Sequence, residues 1–266
     1  MPSVPPSAPD GRRASSAGHV LPLTILRQPN DETCGPTCLH ALYRFWGDPV
    51  ELDDVVKSVR SLDHDGVGRG TLAVNLGLDA LRRGYAATLY TFNLTLFDPT
   101  WFVGPDGSAE TLIARLRAQA AAKWPDDHKS GVATESNIEF LERGGRIRFE
   151  DLTSRLILSH LRAGRPVLTG LSATYLYHAA REYGPNDDAD DIRGEPAGHF
   201  VLIHGYDPSR RVVHVADPLE DNPAFASRNY TVRMARLVPA IMLGVLTHDA
   251  NLLIVAPPAP SGGSTR

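Results

Sequence analysis

The sequence predicts an α+β protein in which N-terminal helices pack on a mostly antiparallel C-terminal sheet. Segments with the apolar spacing of amphipathic helices lie mainly in the first half of the chain, whereas short apolar runs typical of strands are concentrated in the second half. This segregation of helices and strands is typical of α+β architecture. The chain has 266 residues and is 42% hydrophobic, which is enough to form a domain with a substantial core.

Five segments are predicted to form helices. The first lies in CGPTCLHALYRFWG, residues 34–47, because Pro36 suits the first turn of a helix, where its missing N–H has no partner, and Gly47 suits the helix end. The apolar stripe of this helix consists of Cys38, Leu42, Phe45 and Trp46. The other four predicted helices are residues 51–62, 71–84, 108–123 and 149–164.

Five apolar runs are predicted to form strands, and two polar stretches are predicted to be loops. The loops are residues 123–138 and 184–198, which are rich in Gly, Asp, Asn and Pro. The second loop leads directly into His199 and is strongly acidic, so that it either attracts a basic peptide or forms a solvated lid. The predicted strands are residues 85–92, 166–172, 199–206, 211–217 and 251–256.

Composition indicates one domain with polar tails and excludes some classes of partner. Residues 1–18 and 257–266 are predicted to be disordered, and residues 19–256 to form a single domain with a helical elaboration around residues 95–150. The net charge of −4 gives no reason to expect a nucleic-acid partner. The N-terminal segment lacks the apolar core of a secretory signal, and no apolar run has the length of a membrane span, so a cytoplasmic protein without a membrane partner is predicted.

Both cysteines of the chain, Cys34 and Cys38, lie in one predicted helix, which raises three interpretations: nucleophile, metal ligand or small core residue. Cys34 precedes Gly35 and Pro36 at the positive end of the helix, where free N–H groups and the helix dipole favour a thiolate. An inert buried thiol is the alternative for Cys34, and a small core residue is the expectation for Cys38. A zinc site would need two further ligands, and the histidines show no spacing typical of one, so no metal or other cofactor is predicted.

A cysteine nucleophile needs a histidine base, which His199 supplies if residues 198–218 form a β-hairpin. A turn centred on Pro208 would place His199 directly opposite Asp217. The same register predicts that Val201 pairs with Val215 and Ile203 with Val213, as a β-branched core beneath the pair. His204 and His214 would face the opposite side of the sheet. A structural His–Asp pair on the surface is the alternative.

These motifs together resemble a known family. The pattern Q…CGPTCL…YRFWG, followed by GHFVLIHGYD and VHVADP, resembles the papain-like cysteine peptidases of the bacteriocin-processing type, which cleave leader peptides, often after a double glycine. The resemblance implies that Cys34 is the nucleophile, that His199 is the general base and acid, and that Asp217 orients His199. It also implies that the side-chain amide of Gln28 donates to the oxyanion.

A further resemblance concerns the C-terminal half of the chain. The pattern ATYLYHAAREYG…GHFVLIHGYD…DNP…AIMLGVLTHDANLLIV is similar to a stand-alone bacterial branch associated with ATP-grasp peptide ligases. The predicted activity is therefore hydrolysis of a peptide or isopeptide bond in a peptide or protein substrate. An acyltransferase using the same thioester and a non-catalytic peptide-binding module are the alternatives. Tyr175, Tyr177 and Tyr183 either line a substrate groove or pack in the core.

Overall fold

An eight-stranded sheet forms the centre of the protein. The computed structural model of the chain describes residues 18–66, 68–247 and 250–258, without the side chains of residues 105 and 106; the predicted tails lie outside these ranges except for residues 18, 257 and 258. The strands are β1 His19–Val20, β2 Ala86–Thr91, β3 Arg146–Arg148, β4 Val167–Ser172, β5 Glu182–Tyr183, β6 Asp188–Ala189, β7 Gly198–Asp207, β8 Val212–Ala216, β9 Asn229–Arg233 and β10 Asn251–Ala256.

The sheet is largely antiparallel. Its strands follow the order β3-β2-β10-β4-β7-β8-β9, and β1 pairs with β7. Among the described strands, β2 and β3 are parallel, and every other pair of neighbours in this sheet is antiparallel. Strands β5 and β6 form a separate short hairpin, in which β5 precedes the predicted loop of residues 184–198 and β6 lies inside it.

Helices cover both faces of the sheet. Strand β10 is apolar on both faces: Leu253 and Val255 belong to the core on one face, and Leu252 and Ile254 to the core on the other. Both faces of the sheet therefore need a covering layer of helices. Helices α1–α5 pack on the first face and α6–α8 on the second. The predicted α+β class is therefore confirmed. The helices are α1 Cys34–Phe45, α2 Leu52–Ser58, α3 Ala73–Arg82, α4 Ala109–Lys123, α5 His128–Glu142, α6 Ser154–Arg162, α7 Ala173–Tyr177 and α8 Met234–Leu243.

The predicted loop at residues 123–138 is wrong, because α5 occupies most of it. Asp127 caps this helix by accepting a hydrogen bond from the N–H of Ser130 at 3.3 Å. The polar residues that suggested a loop include this cap, and Val132 and Phe140 bury the opposite side of the helix. The sequence analysis also predicts neither helix α8 nor strand β9, both of which form in the structure.

Helix α1 runs through the protein interior. The predicted start and end are confirmed, since Pro36 lies in the first turn and Gly47, with φ +86°, follows the last. The predicted single apolar stripe is too narrow, because every residue from 34 to 43 is buried. The buried residues include Gly35, Thr37 and Cys38, which are small or polar, as well as large apolar side chains.

The hairpin of β7 and β8 forms, but its predicted register is wrong by two residues. Ile203 pairs with Val215, and a bulge at residue 204 shifts the ladder beyond it. The turn is longer than predicted because the Asp207 carboxylate accepts from the N–H groups of Ser209 and Arg210 and Arg211 takes a positive φ of 54°. A shift of two residues leaves each side chain on its original face of the sheet.

Candidate active site

The first residue of α1 is Cys34, which lies at the edge of an open cleft of about 700 Å³. The residue is 9% exposed, so it is largely buried but borders the cleft. The preceding residue, Thr33, directs its hydroxyl at the carbonyl of Asn30, at 2.9 Å, and makes no side-chain cap on α1. The N–H groups of the first turn are therefore available to a negatively charged ligand or reaction intermediate.

Close packing of α1 on β7 brings the nucleophile segment to the histidine strand. Gly35 follows Cys34, and a Cβ at position 35 would lie 3.2 Å from the ring of Phe200. Phe200 in turn follows His199 in β7. Glycine at this position therefore allows the backbone of α1 to approach the strand closely enough for residues 34 and 199 to interact.

His199 and Asp217 form a buried pair at the end of the hairpin. Nε2 of His199 lies 2.8 Å from Oδ1 of Asp217. The two residues do not face each other directly, as the predicted register required, but they occupy the same face of the sheet and meet diagonally. Nε2 donates to the ionised carboxylate, which leaves Nδ1 for the Cys34 thiol.

The neighbours of His199 favour its protonated form. Burial alone lowers the pKa of this imidazole, but the Asp217 carboxylate and then the Cys34 thiol outweigh burial and raise the pKa of His199 to about 10. Burial raises the pKa of Asp217, and the opposing effect of His199 and the hydroxyl donors lowers it below its usual value. An imidazolium between a carboxylate and a sulfur is the arrangement that stabilises a thiolate.

Five hydrogen bonds hold the Asp217 carboxylate, which has no exposed surface. Oδ1 accepts from His199 and from the N–H of Leu219, at 2.8 and 2.9 Å. Oδ2 accepts from the hydroxyls of Tyr177 and Tyr230, at 2.6 and 2.7 Å, and from Nδ2 of Asn222 at 3.1 Å. This set of donors fixes the orientation of the carboxylate and compensates its loss of water.

Gln28 lines the same cleft as Cys34 and His199. Its backbone N–H donates to the carbonyl of Pro218 at 3.0 Å, which ties it to the residue after Asp217. The side chain is 6% exposed, and within the described ranges no group donates to its Oε1. The Gln28 side chain is thus not held in place by a hydrogen bond to its Oε1.

The two cysteines have different environments. Cys38 has no exposed surface, and its thiol donates to the carbonyl of Phe200 at 3.4 Å. Burial raises the pKa of the Cys38 thiol well above its ordinary value. Cys38 is therefore a small core residue, as the sequence predicts, whereas Cys34 borders the cleft. In the described ranges no three side chains among His, Cys, Asp and Glu are grouped as metal ligands.

The acidic segment of residues 184–198 borders the cleft and is held in place by charge pairs. The Arg69 guanidinium lies 2.7 Å from the carboxylate of Glu32, a residue near the start of α1. The same guanidinium lies 2.8 Å from the carboxylate of Asp187 in the acidic segment. Arg193 pairs with Asp190 at 2.6 Å. The prediction of a solvated lid did not include this ion pair between Arg69 and Asp187, which ties the segment to the rest of the protein.

Three residues that hold Asp217 were not assigned to the site from the sequence. Tyr177 was considered only as a groove or core residue, and Tyr230 and Asn222 lie in a stretch for which no strand was predicted. Tyr175 and Tyr183 are exposed instead. No local pattern marks a tyrosine as the partner of a carboxylate that lies 40 residues away in the chain.

His204 and His214, the two other histidines of the hairpin, are neighbours. Their ring centroids lie 6.2 Å apart, and Nδ1 of His204 lies 2.9 Å from the carbonyl of Leu21.

Comparison with solved structures matches the chain to several peptidases. A putative C39-like peptidase from Bacillus anthracis is 13% identical, with a TM-score of 0.49, and 91% of this chain and 99% of that chain are covered. Xylellain, a cysteine protease from Xylella fastidiosa, is 13% identical, with a TM-score of 0.45 and coverage of 91% and 86%. A double glycine motif protease from an AMS/PCAT transporter, in complex with the leader peptide, is 12% identical, with a TM-score of 0.42 and coverage of 90% and 95%.

The sequence comparisons give one family match. No curated protein sequence matches the chain significantly. Residues 109–237 match the Peptidase_C39 like family, and this range includes His199 and Asp217 but neither Gln28 nor Cys34. The match covers slightly less than half of the chain, and it bears out the resemblance to papain-like cysteine peptidases of the bacteriocin-processing type that the sequence motifs suggest.

Proposed function

We propose that the protein hydrolyses a peptide or isopeptide bond through an acyl-enzyme on Cys34. The observation that carries this proposal is the position of His199, which is hydrogen-bonded to Asp217 and lines the same open cleft as Cys34. Peptide hydrolysis by a thiol needs a nucleophile, a base and an orienting group in this arrangement.

The reaction would proceed in two steps. The Cys34 thiolate attacks the carbonyl carbon, the C–N bond breaks, and the imidazolium of His199 gives its proton to the leaving amine. Water then attacks the thioester while His199 removes a proton from it, and the acid product leaves as the thiol forms again. The N–H of Cys34 and the side-chain amide of Gln28 would donate to the oxyanion in both steps, and loss of one such donor costs about 10²–10³ in rate.

Chemical labelling tests the role of Cys34 without knowledge of the substrate. We expect iodoacetamide to modify Cys34 much faster than Cys38 in the folded protein, because Cys38 has no exposed surface and its pKa is raised. His199→Ala should slow modification of Cys34, since it removes the imidazolium. Cys38→Ala is the matched control and should leave the rate unchanged. Faster modification of Cys38, or an unchanged rate in His199→Ala, would contradict the assignment.

Incubation with a broad peptide library tests the activity itself. Mass spectrometry should find cut peptides with the wild-type protein and none with Cys34→Ala. Repeating the incubation with an added amine distinguishes hydrolysis from acyl transfer, because a transferase would form the amide of the added amine. A library left intact by the wild-type protein, together with slow labelling of Cys34, would favour the non-catalytic binding module.

The cleft supports a substrate that carries positive charge. Four carboxylates and two cations line it, so acidic side chains outnumber basic ones; the acidic residues are Asp31, Glu32, Glu182 and Asp187, and the basic ones are Arg69 and Lys129. Arg69 pairs with Glu32 and Asp187. The association with an ATP-grasp ligase and the cytoplasmic location stay predictions from the sequence. Within the described ranges, no helix combines the length and the apolar character that a membrane crossing requires.

A further inference from the structure

A second, more enclosed cavity of about 220 Å³ adjoins the cleft. It lies between α3, α5, the segment of residues 93–97 and the start of β10. Leu62, Leu72 and Lys129 line both this cavity and the cleft that contains Cys34. We call it the side pocket. Because the two spaces share these walls, an extended chain lying in the cleft would pass directly beside the side pocket.

The walls of the side pocket are mostly apolar. Leu89, Leu96, Phe97 and Trp124 contribute to them, and the first three are each less than 9% exposed. The segment around residues 95–150, predicted as a helical elaboration, supplies much of this lining. A cavity of ~150 Å³ with apolar walls accommodates benzene, so the side pocket has room for an aromatic ring.

Two buried amides add polarity to these apolar walls. Asn137 and Asn251 both line the side pocket and are 4% and 5% exposed. Among the described residues, none donates a hydrogen bond to Oδ1 of either side chain. The amide of Asn137 is held by its Nδ2, which donates to the carbonyl of Ala133 at 2.8 Å, so its Oδ1 is the atom left without a partner. A buried acceptor without a donor is destabilising, and a ligand that supplies the donor removes that cost.

We infer that the side pocket recognises an aromatic side chain with a hydrogen-bond donor, the indole of tryptophan or the phenol of tyrosine, in the peptide bound across Cys34. This inference rests on the proposed peptidase function for the position of the peptide. Among the described residues that line the pocket, the charged ones are Asp127 and Lys129, and both are exposed. A charged side chain placed deeper, among the buried apolar walls, would lose its water without an opposite charge beside it. An aliphatic side chain would fill the space but leave the acceptors of Asn137 and Asn251 without partners.

Filling the side pocket tests the inference. Ala133 lines the pocket from α5, and Ala133→Phe places a ring inside it. Ala118→Phe is the matched control, because Ala118 is exposed on α4 and does not line the pocket. With the peptide library, the wild-type protein and Ala118→Phe should prefer Trp or Tyr at one position near the cut. Ala133→Phe should lower kcat/KM for those peptides by about tenfold or more, with little change for peptides that lack them.

A binding measurement separates this inference from the peptidase proposal. In Cys34→Ala protein, N-acetyltryptophanamide should shift the side-chain amide NMR signals of Asn137 and Asn251, and Ala133→Phe should weaken this binding at least about tenfold. N-acetylphenylalaninamide should bind about tenfold more weakly than the tryptophan probe, and Asn137→Leu should reduce that difference.

The outcomes distinguish the two proposals. Cleavage with no preference for Trp or Tyr, or an unchanged preference in Ala133→Phe, would overturn the side-pocket inference and leave the peptidase proposal standing. Probe binding in the pocket without any cleavage would support the pocket and contradict the peptidase function. Absence of probe binding together with absence of cleavage would overturn both proposals. Equal binding of the two probes would overturn the requirement for a donor.

Discussion

At the scale of single residues, the environment of Asp217 controls the chemistry of His199. A carboxylate without exposed surface is costly unless donors replace its lost water, and five hydrogen bonds do so here. The rings of Phe225 and Tyr230 stack with centroids 3.7 Å apart, which positions the Tyr230 hydroxyl. We regard Tyr177 and Tyr230 as positioning residues, because they act through Asp217.

Removing either hydroxyl should make the protein more sensitive to acid. The pKa of Asp217 is lowered in the folded protein, so its stabilising contribution is present above the ordinary carboxyl pKa and is lost as pH falls through the folded pKa. Tyr177→Phe and Tyr230→Phe each remove a donor and raise that pKa, so the acid-unfolding midpoint should move to higher pH. Each should also cost about 1–3 kcal/mol in the free energy of unfolding at neutral pH.

The control for these tyrosines is Tyr183→Phe, because Tyr183 is exposed and makes no hydrogen bond to Asp217. Circular dichroism during acid titration reports the midpoints, and the pH profile of Cys34 labelling reports the effect on the site. Equal midpoints for all three variants and the wild-type protein would mean that the hydroxyls do not stabilise the carboxylate.

His199 should stabilise the fold at neutral pH more than at alkaline pH. Its pKa is raised to about 10, so the stabilisation by its protonated form is fully present below the ordinary histidine pKa of ~6.5 and is lost as pH rises through the folded value. The wild-type protein should therefore lose its advantage in unfolding free energy over His199→Gln as the pH rises from about 6.5 to about 10. Urea denaturation of both proteins at several pH values measures it, and a difference that stays constant would contradict the shifted pKa.

At the scale of secondary-structure elements, helix α1 depends on a close contact with its neighbours. A Cβ at Gly35 would lie 2.9 Å from Cγ2 of Thr71 and 3.2 Å from Phe200. Thr71 does not yield easily, because its hydroxyl donates to the carbonyl of Arg60 at 2.7 Å. The sequence places glycine directly after the nucleophile, but only the packing of α1 shows why a larger residue is excluded.

Two helical glycines should respond in opposite directions to alanine. Gly35→Ala should lower the free energy of unfolding by about 1–3 kcal/mol through overpacking, and should slow Cys34 labelling by displacing α1 from β7. Gly131→Ala in α5 is the matched substitution, since a Cβ there meets nothing within 4 Å. It should stabilise the protein by about 0.5–1 kcal/mol through helix propensity. Thermal unfolding checks both values, and equal effects of the two changes would refute the packing argument.

Local sequence predicted most elements but not their pairing. Pro36 and Gly47 marked the ends of α1 because the cost of a missing N–H or of a positive φ is decided within a few residues. The predicted register of β7 and β8 is wrong because hydrogen bonds to the Asp207 carboxylate stabilise a longer turn. The alternation of residues along the two strands does not reveal the length of that turn. Helix α5 was missed because its cap and polar face have the composition of a loop.

At the scale of the whole molecule, distant segments surround one cleft. Arg69 connects Glu32, which precedes α1, with Asp187 in the acidic segment. These are exposed ion pairs, so each contributes at most about 1 kcal/mol to global stability. Their effect is to hold the acidic segment beside the cleft.

Arg69→Ala should therefore loosen the acidic segment without unfolding the protein. Limited proteolysis between residues 184 and 194, and hydrogen exchange of the same residues, should become faster, while the unfolding free energy changes by less than about 1 kcal/mol. Arg117→Ala is the control, because Arg117 pairs with Glu142 at 2.8 Å outside the cleft lining. Unchanged proteolysis of the segment in Arg69→Ala would show that the pairs do not anchor it.

The sequence alone determined the class of fold, the start of a helix at Cys34 and the four candidate residues, because capping, periodicity and residue chemistry act over short distances. The tertiary structure decided how these residues meet. It paired His199 and Asp217 diagonally, added Tyr177 and Tyr230 as donors, and placed the side pocket beside the cleft. Such contacts join segments far apart in the chain, so they depend on strand order and packing, which local patterns do not specify.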